Sequence, residues 1–210
     1  ITSSMQVRQV TTKECHDLIL NVHYAHRLPS ISWAYGLFDG NEMIGCCTYG
    51  TPASSTLLRG VCGIEYKTIV KELNRLVLRY NRPNEASYLI SQSLKLLPHP
   101  LIIVSYADTT QGHSGVVYQA TNFLYTGLSA KFRDPKVKGL EHQHHATYAH
   151  GKTNKELKEK FGDSLYFVDR PRKHRYIIFL GSKVEKKRML KALKYPIMEY
   201  PKALTQPNNK

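Results

Sequence analysis

Residues 101–106, Leu-Ile-Ile-Val-Ser-Tyr, form an uncharged, mostly apolar run that Ala107 and Asp108 close. A short run without polar alternation reads as a strand buried on both faces, so layers must cover it from either side. That requirement points to a mixed α/β sheet with helices on both faces. The strand ends on a carboxylate, and Gly112-His113-Ser114-Gly115 follows. Next comes a segment predicted as helix. Val116, Val117, Ala120 and Leu124 are assigned to its core side, and Ser114, Tyr118 and Asn122 to a polar stripe at four-residue spacing. A carboxylate at a strand's carboxyl end can serve as metal ligand, general base or cap of the next segment. Glycines flanking a histidine allow close backbone approach and leave the first helical amides open to an anion.

The remaining elements follow from periodicity and turn chemistry. "MQVRQV" alternates as a first strand, and Thr11 or Thr12 caps a helix running to about Val22. "SWAYGLFDGNEMIGCCTYG" is a hairpin turning at Asp39-Gly40-Asn41, followed by a loop of small residues, "TPASSTLLRGVCG". "IVKELNRLVLRY" reads as a strand, with helix as the alternative. "NRPNEASYLISQSLKLL" is a helix capped by Asn84, with Leu89, Ile90, Ser93, Leu94 and Leu97 inward and Pro98 ending it. "LYTGLSAKF" and "RYIIFLG" are strands, "NKELKEKFG" is a short polar helix, and a basic helix closes the fold. This order resembles that of the GNAT acyltransferase superfamily. In strict alternation Glu72 and Asn74 share one strand face and Arg75 takes the other.

One domain is expected over residues 5–200, with a basic C-terminal part at about 131–200. Residues 1–4 precede Met5 and are set aside, and 201–210 are expected to be a flexible tail. No secretory segment or run of transmembrane length is visible, so a soluble protein without membrane contact is expected. Cys15, Cys46, Cys47 and Cys62 form no CxxC pair and are expected reduced and buried.

Lys and Arg number 30 against 16 Asp and Glu, a formal charge of +14. Such a field attracts polyanions, and the basic clusters "DRPRKHR" and "KVEKKRMLKALK" favour nucleic acid over membrane. Candidate phosphate contacts are Arg170, Arg172, Lys173, Arg175, Lys186, Lys187 and Arg188. Arg79 and Arg82 flank the helix beginning near Glu85, where an anion can meet free amides, although the glycine-rich pyrophosphate loop of GNAT enzymes is missing from "RYNRPNEAS". "NVHYAHRLPS" brings together His23, Tyr24, His26 and Arg27, which offer metal-binding nitrogen and oxygen atoms. The tract "EHQHHATYAH" is dense in histidine but lacks the HExxH order.

"HYAHRLPS", "ELNRLVL", "NEASYLISQSLKLL", "SYADTTQGHSGVVYQATNFLYTGLS" and "RPRKHRYIIFLGSK" together resemble the Mom family of phage DNA-modification proteins, over about residues 22–200. The resemblance implies a GNAT-like fold and conversion of adenine N6 in double-stranded DNA to a carbamoylmethyl (acetamido) derivative. Phage DNA is thereby protected from restriction in the cytoplasm of the infected bacterium. It further implies iron and an acetyl-CoA-like or other small donor. His23, Tyr24 and Asp108 correspond to metal-binding positions, and Arg75, Ser93 and Tyr118 to activity or the donor pocket. His113 and Asn122 join the catalytic candidates on the residues alone. A flipped adenine would need an aromatic partner such as Trp33, Tyr35 or Tyr125. Rival readings are an N-acetyltransferase acting on a protein or small molecule, and a DNA-binding protein without catalysis. Monomer and homodimer both stay open.

Overall fold

The protein is described from a computed structural model, at residues 4–23 and 28–202. Among the described residues nine strands form, β1 (Met5–Val10), β2 (Trp33–Asp39), β3 (Glu42–Gly50), β4 (Val70–Leu78), β5 (Leu101–Asp108), β6 (Leu124–Leu128), β7 (Phe132–Val137), β8 (Leu165–Arg170) and β9 (Lys173–Leu180). Seven make one sheet in the order β1-β2-β3-β4-β5-β9-β6, and β7 and β8 make a separate two-stranded sheet. All neighbours in the large sheet are antiparallel except β4 and β5. That parallel ladder joins only Val70–Ile102, Lys71–Ile103 and Glu72–Val104 before the two strands part. The fork is pinned where Ser105 Oγ donates to the Leu73 carbonyl at 3.1 Å.

Seven α-helices accompany them among the described residues: α1 (Thr12–Asp17), α2 (Ser55–Gly60), α3 (Glu85–Leu96), α4 (Val116–Ala120), α5 (Ala146–Ala149), α6 (Asn154–Phe161) and α7 (Lys183–Ala192). β5 is buried on both sides, as its composition demands. Leu101, Ile103 and Ala107 join Leu89, Ile90 and Leu94 of α3 and Tyr118 of α4 on one face. Ile102 and Val104 pack with Leu57 of α2, Val61, Cys62 and Met189 of α7 on the other. α1 and the π-helical turn Leu18–Val22 cover that second face farther along, where Cys15, Leu18 and Ile19 meet Cys46 and Val77. Adjacent Cys46 and Cys47 thus point into different cores, and the four cysteines are free and buried.

The expected hairpin, α3 inner face and closing basic helix are all found. Thr11 forms a full capping box with Glu14, as Ser182 does with Glu185. Three expectations are corrected. The small-residue loop after β3 contains α2, started by Ser54 accepting from the Leu57 amide, and a 3₁₀ turn over Ile64–Ile69. Asn84 does not cap α3: it sits at φ 68° without a capping side-chain bond. The segment after Gly115 is helical for five residues only, with Val116 61% exposed and Tyr118 in the core. Tyr118 is drawn inward because its ring meets Phe123 and Tyr176, each at 5.3 Å. β7 and β8 were not legible as a pair; with α5 and α6 they enclose a small core of Val137, Tyr148, Leu157 and Leu165.

Candidate active site on one face of the sheet fork

A bulge positions the site. Tyr49 pairs with Leu73 and Thr48 with Arg75, leaving Asn74 as the extra residue on β4. Side chains alternate along a strand, so one inserted residue reverses the faces beyond it. Glu72, opposite Val104, and Arg75, opposite Thr48, therefore share a face, contrary to the strict alternation expected from sequence. Asn74 holds the bulge, accepting from Thr48 Oγ1 at 2.6 Å and donating to the Ser30 carbonyl at 2.8 Å.

The same face carries Tyr106 and Asp108 of β5 and, in register with them, Arg175 and Lys173 of β9. The open end of the fork thus gathers two carboxylates, three cations and a phenol. Burial holds the Glu72 carboxyl above its ordinary range, and the charges of Lys173 and Arg75 only partly counter this. Burial likewise pushes the Tyr106 phenol up to about 12, with Arg175 opposing. Asp108 behaves differently. Its burial disfavours the charge, but two bonds from Thr110 (amide 2.9 Å, hydroxyl 2.6 Å) together with Lys173 and His113 outweigh it and hold the carboxyl below its usual value. The cap reading of Asp108 is therefore realised, and the fork places it beside Lys173 as well. Glu72 is the member that sequence reasoning passed over. A carboxylate inside a strand whose partner is a fully apolar run was the available signal.

The other candidates separate. His113 is exposed and lies near enough to Asp108 to affect its charge, and its amide bonds the Asp108 carbonyl at 3.2 Å. Tyr118 and Ser93 lie on the opposite face. Ser93 Oγ is 2.6 Å from Tyr49 Oη inside the core, and Tyr118 stacks in the aromatic cluster. Asn122 is exposed at φ 66° in the turn beyond α4, so the expected polar stripe does not form. Gly115 answers for the glycine turn: at φ 84° it lies against the Tyr176 ring, where a Cβ would collide. The Tyr176 hydroxyl donates to the Ser114 carbonyl and accepts from Gln119 at 3.1 Å.

Of the aromatics considered for a flipped base, Tyr35 and Tyr125 are buried, Tyr125 against His174 at 2.8 Å. Trp33 is half-buried, with the Lys71 ammonium 6.0 Å from its ring centre.

His23 ends the π-helical turn, its amide bonding the Leu18 carbonyl, whereas Tyr24, His26 and Arg27 lie outside the described residues. Among the described residues no group of three or more His, Cys, Asp or Glu side chains is placed to hold a metal ion. The expected iron site is therefore not supported. The histidine tract is committed locally, with His145 3.7 Å from Asp134 and its ring stacked on His144.

The start of α3 does not fit a pyrophosphate. Glu85 is 1% exposed, accepts from the Arg82 amide at 2.9 Å and pairs with Arg82 Nε at 2.5 Å. Arg82 also reaches Asp39, and Arg79 pairs with Asp17. A diphosphate placed there would meet a buried carboxylate, with both neighbouring arginines already paired.

The expected phosphate contacts divide as well. Arg170 is clamped by Asp134, its Nε 3.1 Å from both carboxylate oxygens, and Arg172 donates to the Ser129 carbonyl at 2.7 Å. Arg175 is buried, bonded to Thr126 and stacked 3.6 Å from the Tyr195 ring centre. It is held inside the fold, out of a nucleic acid's reach. Lys186, Lys187 and Arg188 are exposed on α7.

Among the described residues no helix is long and apolar enough to cross a membrane. A model of the Mom protein family matches residues 4–202. "Methylcarbamoylase mom" of Escherichia phage Mu is 30% identical over 132 residues, 60% of this chain and 55% of that protein, so the match spans about half the length of this curated relative. Among solved structures, a GNAT family acetyltransferase from Elizabethkingia anophelis with acetyl-CoA bound aligns at TM-score 0.47 and 13% identity, over 85% of this chain and all of that one (100%). The Bacillus subtilis acetyltransferase in complex with CoA aligns at 0.46 and 14%, over 84% and 98%. Likeness at that level carries no chemistry across.

Proposed function

This chain belongs to the Mom protein family, and from that premise we propose that it is a phage DNA-modification enzyme that places a carbamoylmethyl group on N6 of adenine in duplex DNA. The product would shield phage DNA from restriction in the cytoplasm of the infected host. The family match along residues 4–202 carries this reading. The fork supports it with a desolvated carboxylate, Glu72, among cations.

In the reaction, the N6 lone pair forms a bond to the methylene carbon of a small donor. The donor's leaving group departs with the electrons of its own bond to that carbon. The N6 proton passes to Glu72, whose raised proton affinity suits a general base better than an ordinary surface carboxylate. Arg75 and Lys173 stabilise the negative charge that grows on the leaving group. Asp108 lends its charge to Lys173 and caps the turn that carries His113. Trp33, half-buried against the core on the opposite face of the sheet, takes no part in this step.

The rival acetyltransferase reading lacks a cradle for the coenzyme's pyrophosphate, because Glu85 fills the start of α3. A non-catalytic DNA-binding protein would have no use for a carboxylate held desolvated at a sheet fork. The test is expression in a bacterium, digestion of its DNA to nucleosides, and mass spectrometry. A carbamoylmethyl-adenosine species that disappears in Glu72→Gln is expected. DNA with ordinary adenine throughout would overturn the proposal.

A further inference from the structure

Two grooves open beside α2. One, of about 330 Å³, is lined by Ser55, Thr56, Arg59, Gly60 and Lys194. Its neighbour, of about 410 Å³, shares Ser55 and Arg59 and adds Lys67, Thr68 and Lys71 among its walls. Shared walls make them one trough. Four cations line it and no carboxylate does. Elsewhere the arginines of this chain are commonly ion-paired, as Arg8, Arg79, Arg82, Arg133 and Arg170 are. Among the described residues Arg59, Lys67, Lys71 and Lys194 take part in no ion pair, and Lys71 meets only the Thr51 hydroxyl at 3.0 Å and the edge of Trp33's reach.

Glu65 approaches Lys194 beside Gly63 without an ion pair, and Arg59, Lys67 and Lys71 still outnumber it, so like charges here repel one another unless an anion joins them. Four hydroxyl groups in the walls, those of Thr51, Ser55, Thr56 and Thr68, add donors suited to phosphate oxygens. The α2 wall of the trough sits on the working face of the sheet, whereas Lys71 reaches it from the start of β4, where it leaves the strand on the other side with Leu73. Leu57 and Val61 anchor α2 over Ile102 and Val104. The Lys194 amide bonds the Val61 carbonyl at 2.8 Å, and the next residue, Tyr195, covers Arg175. Lys194 continues directly from α7, whose exposed Lys186, Lys187, Arg188 and Lys191 extend the same charge.

We propose that this trough, with Arg59, Lys67, Lys71 and Lys194 as phosphate contacts, is part of the track along which duplex DNA lies, leading from α7 toward the fork. The inference rests on the DNA-modifying function and adds a surface on the insertion between β3 and β4.

The experiment measures binding of the full chain to a fluorescent DNA duplex across a salt series. Each phosphate contact contributes about 0.9 to the slope of log affinity against log salt. Arg59→Ala/Lys67→Ala is expected to reduce the slope by ~2, while Lys152→Ala/Lys155→Ala, at the start of α6, leaves it unchanged. Arg59→Lys/Lys67→Arg keeps the charge and should restore it, which separates lost contacts from a misfolded α2. An unchanged slope in the alanine pair, with wild-type binding intact, overturns the trough as a DNA contact. So does a slope loss seen with single-stranded RNA and not with duplex. Adenine modification measured in parallel keeps the two ideas apart: unmodified DNA from a wild-type chain that still binds duplex through the trough would count against the enzymatic reading alone.

Discussion

Glu72 and Arg75 point to the same face of β4, because the Asn74 bulge against Thr48 and Tyr49 reverses the alternation between them. The pair lies at the point where β4 leaves β5, within the charge influence of Lys173, which Asp108 faces across the β5–β9 ladder. A sheet with regular pairing would put the guanidinium into the opposite core.

Glu72→Gln should abolish adenine modification while stabilising the fold. A carboxyl whose folded pKa is raised binds its proton more tightly folded than unfolded. Folding therefore loses free energy as pH rises from the ordinary carboxylate pKa through the raised one, and the deficit persists at neutral pH. Removing the charge relieves it. A Tm increase of ~2–4 °C, the size of ~1 kcal/mol in a chain of this length, is expected at pH 7. A lowered Tm together with wild-type modification would refute the assignment.

Asp108 has a cap's role and a site's role, and substitution can separate them. Asp108→Ala should lose ~0.5–2 kcal/mol by orphaning the Thr110 amide. Asp108→Asn keeps an acceptor and should retain most of that stability while losing the charge beside Lys173. If the asparagine variant modifies DNA at the wild-type level, the carboxylate acts only as a cap. Because its folded pKa is depressed, the stability it provides is full above the unfolded carboxylate value and is lost as pH falls through the folded one. Acid unfolding curves of the asparagine variant should be flatter in that range.

Arg175→Ala should behave as a core mutation. It strips Thr126 of a partner and Tyr195 of its stacked cation. A loss of ~2–4 kcal/mol in chemical denaturation is expected, with the salt slope of DNA binding unaltered. Lys186→Ala/Lys187→Ala should show the reverse, a flatter slope and unchanged stability. Equal effects of both variants on the slope would mean that Arg175 reaches DNA.

Gly115→Ala combines a left-handed backbone with a Cβ directed at the Tyr176 ring. Gly112, also left-handed, has open space around it. Alanine at 112 should cost about 1 kcal/mol from backbone strain alone, and at 115 considerably more, since the ring must also move. Thermal denaturation of the two variants orders them.

Coenzyme A should bind the wild-type chain more weakly than it binds Glu85→Gln, because the diphosphate has to approach a buried carboxylate at the start of α3. Calorimetric titration of both proteins measures the difference. Tighter binding by the wild type would show that the donor arm is held elsewhere.

What the sequence determined by itself was local. The apolar run of β5, the inner face of α3, the capping boxes at Thr11 and Ser182 and the hairpin turn at Gly40 depend on residues within one or two turns of each other. The Mom motifs were legible for the same reason, as contiguous blocks. The tertiary structure decided which charges are available. Arg170, Arg82 and Arg175 look alike in a count of basic residues, but Asp134, Glu85 and Thr126 with Tyr195 engage them, while among the described residues Arg59 and Lys194 form no ion pair. It also decided the face of Arg75, through a one-residue register slip between two strands. Partner and register are both set by segments far apart in the chain, and no periodicity read along one strand contains them.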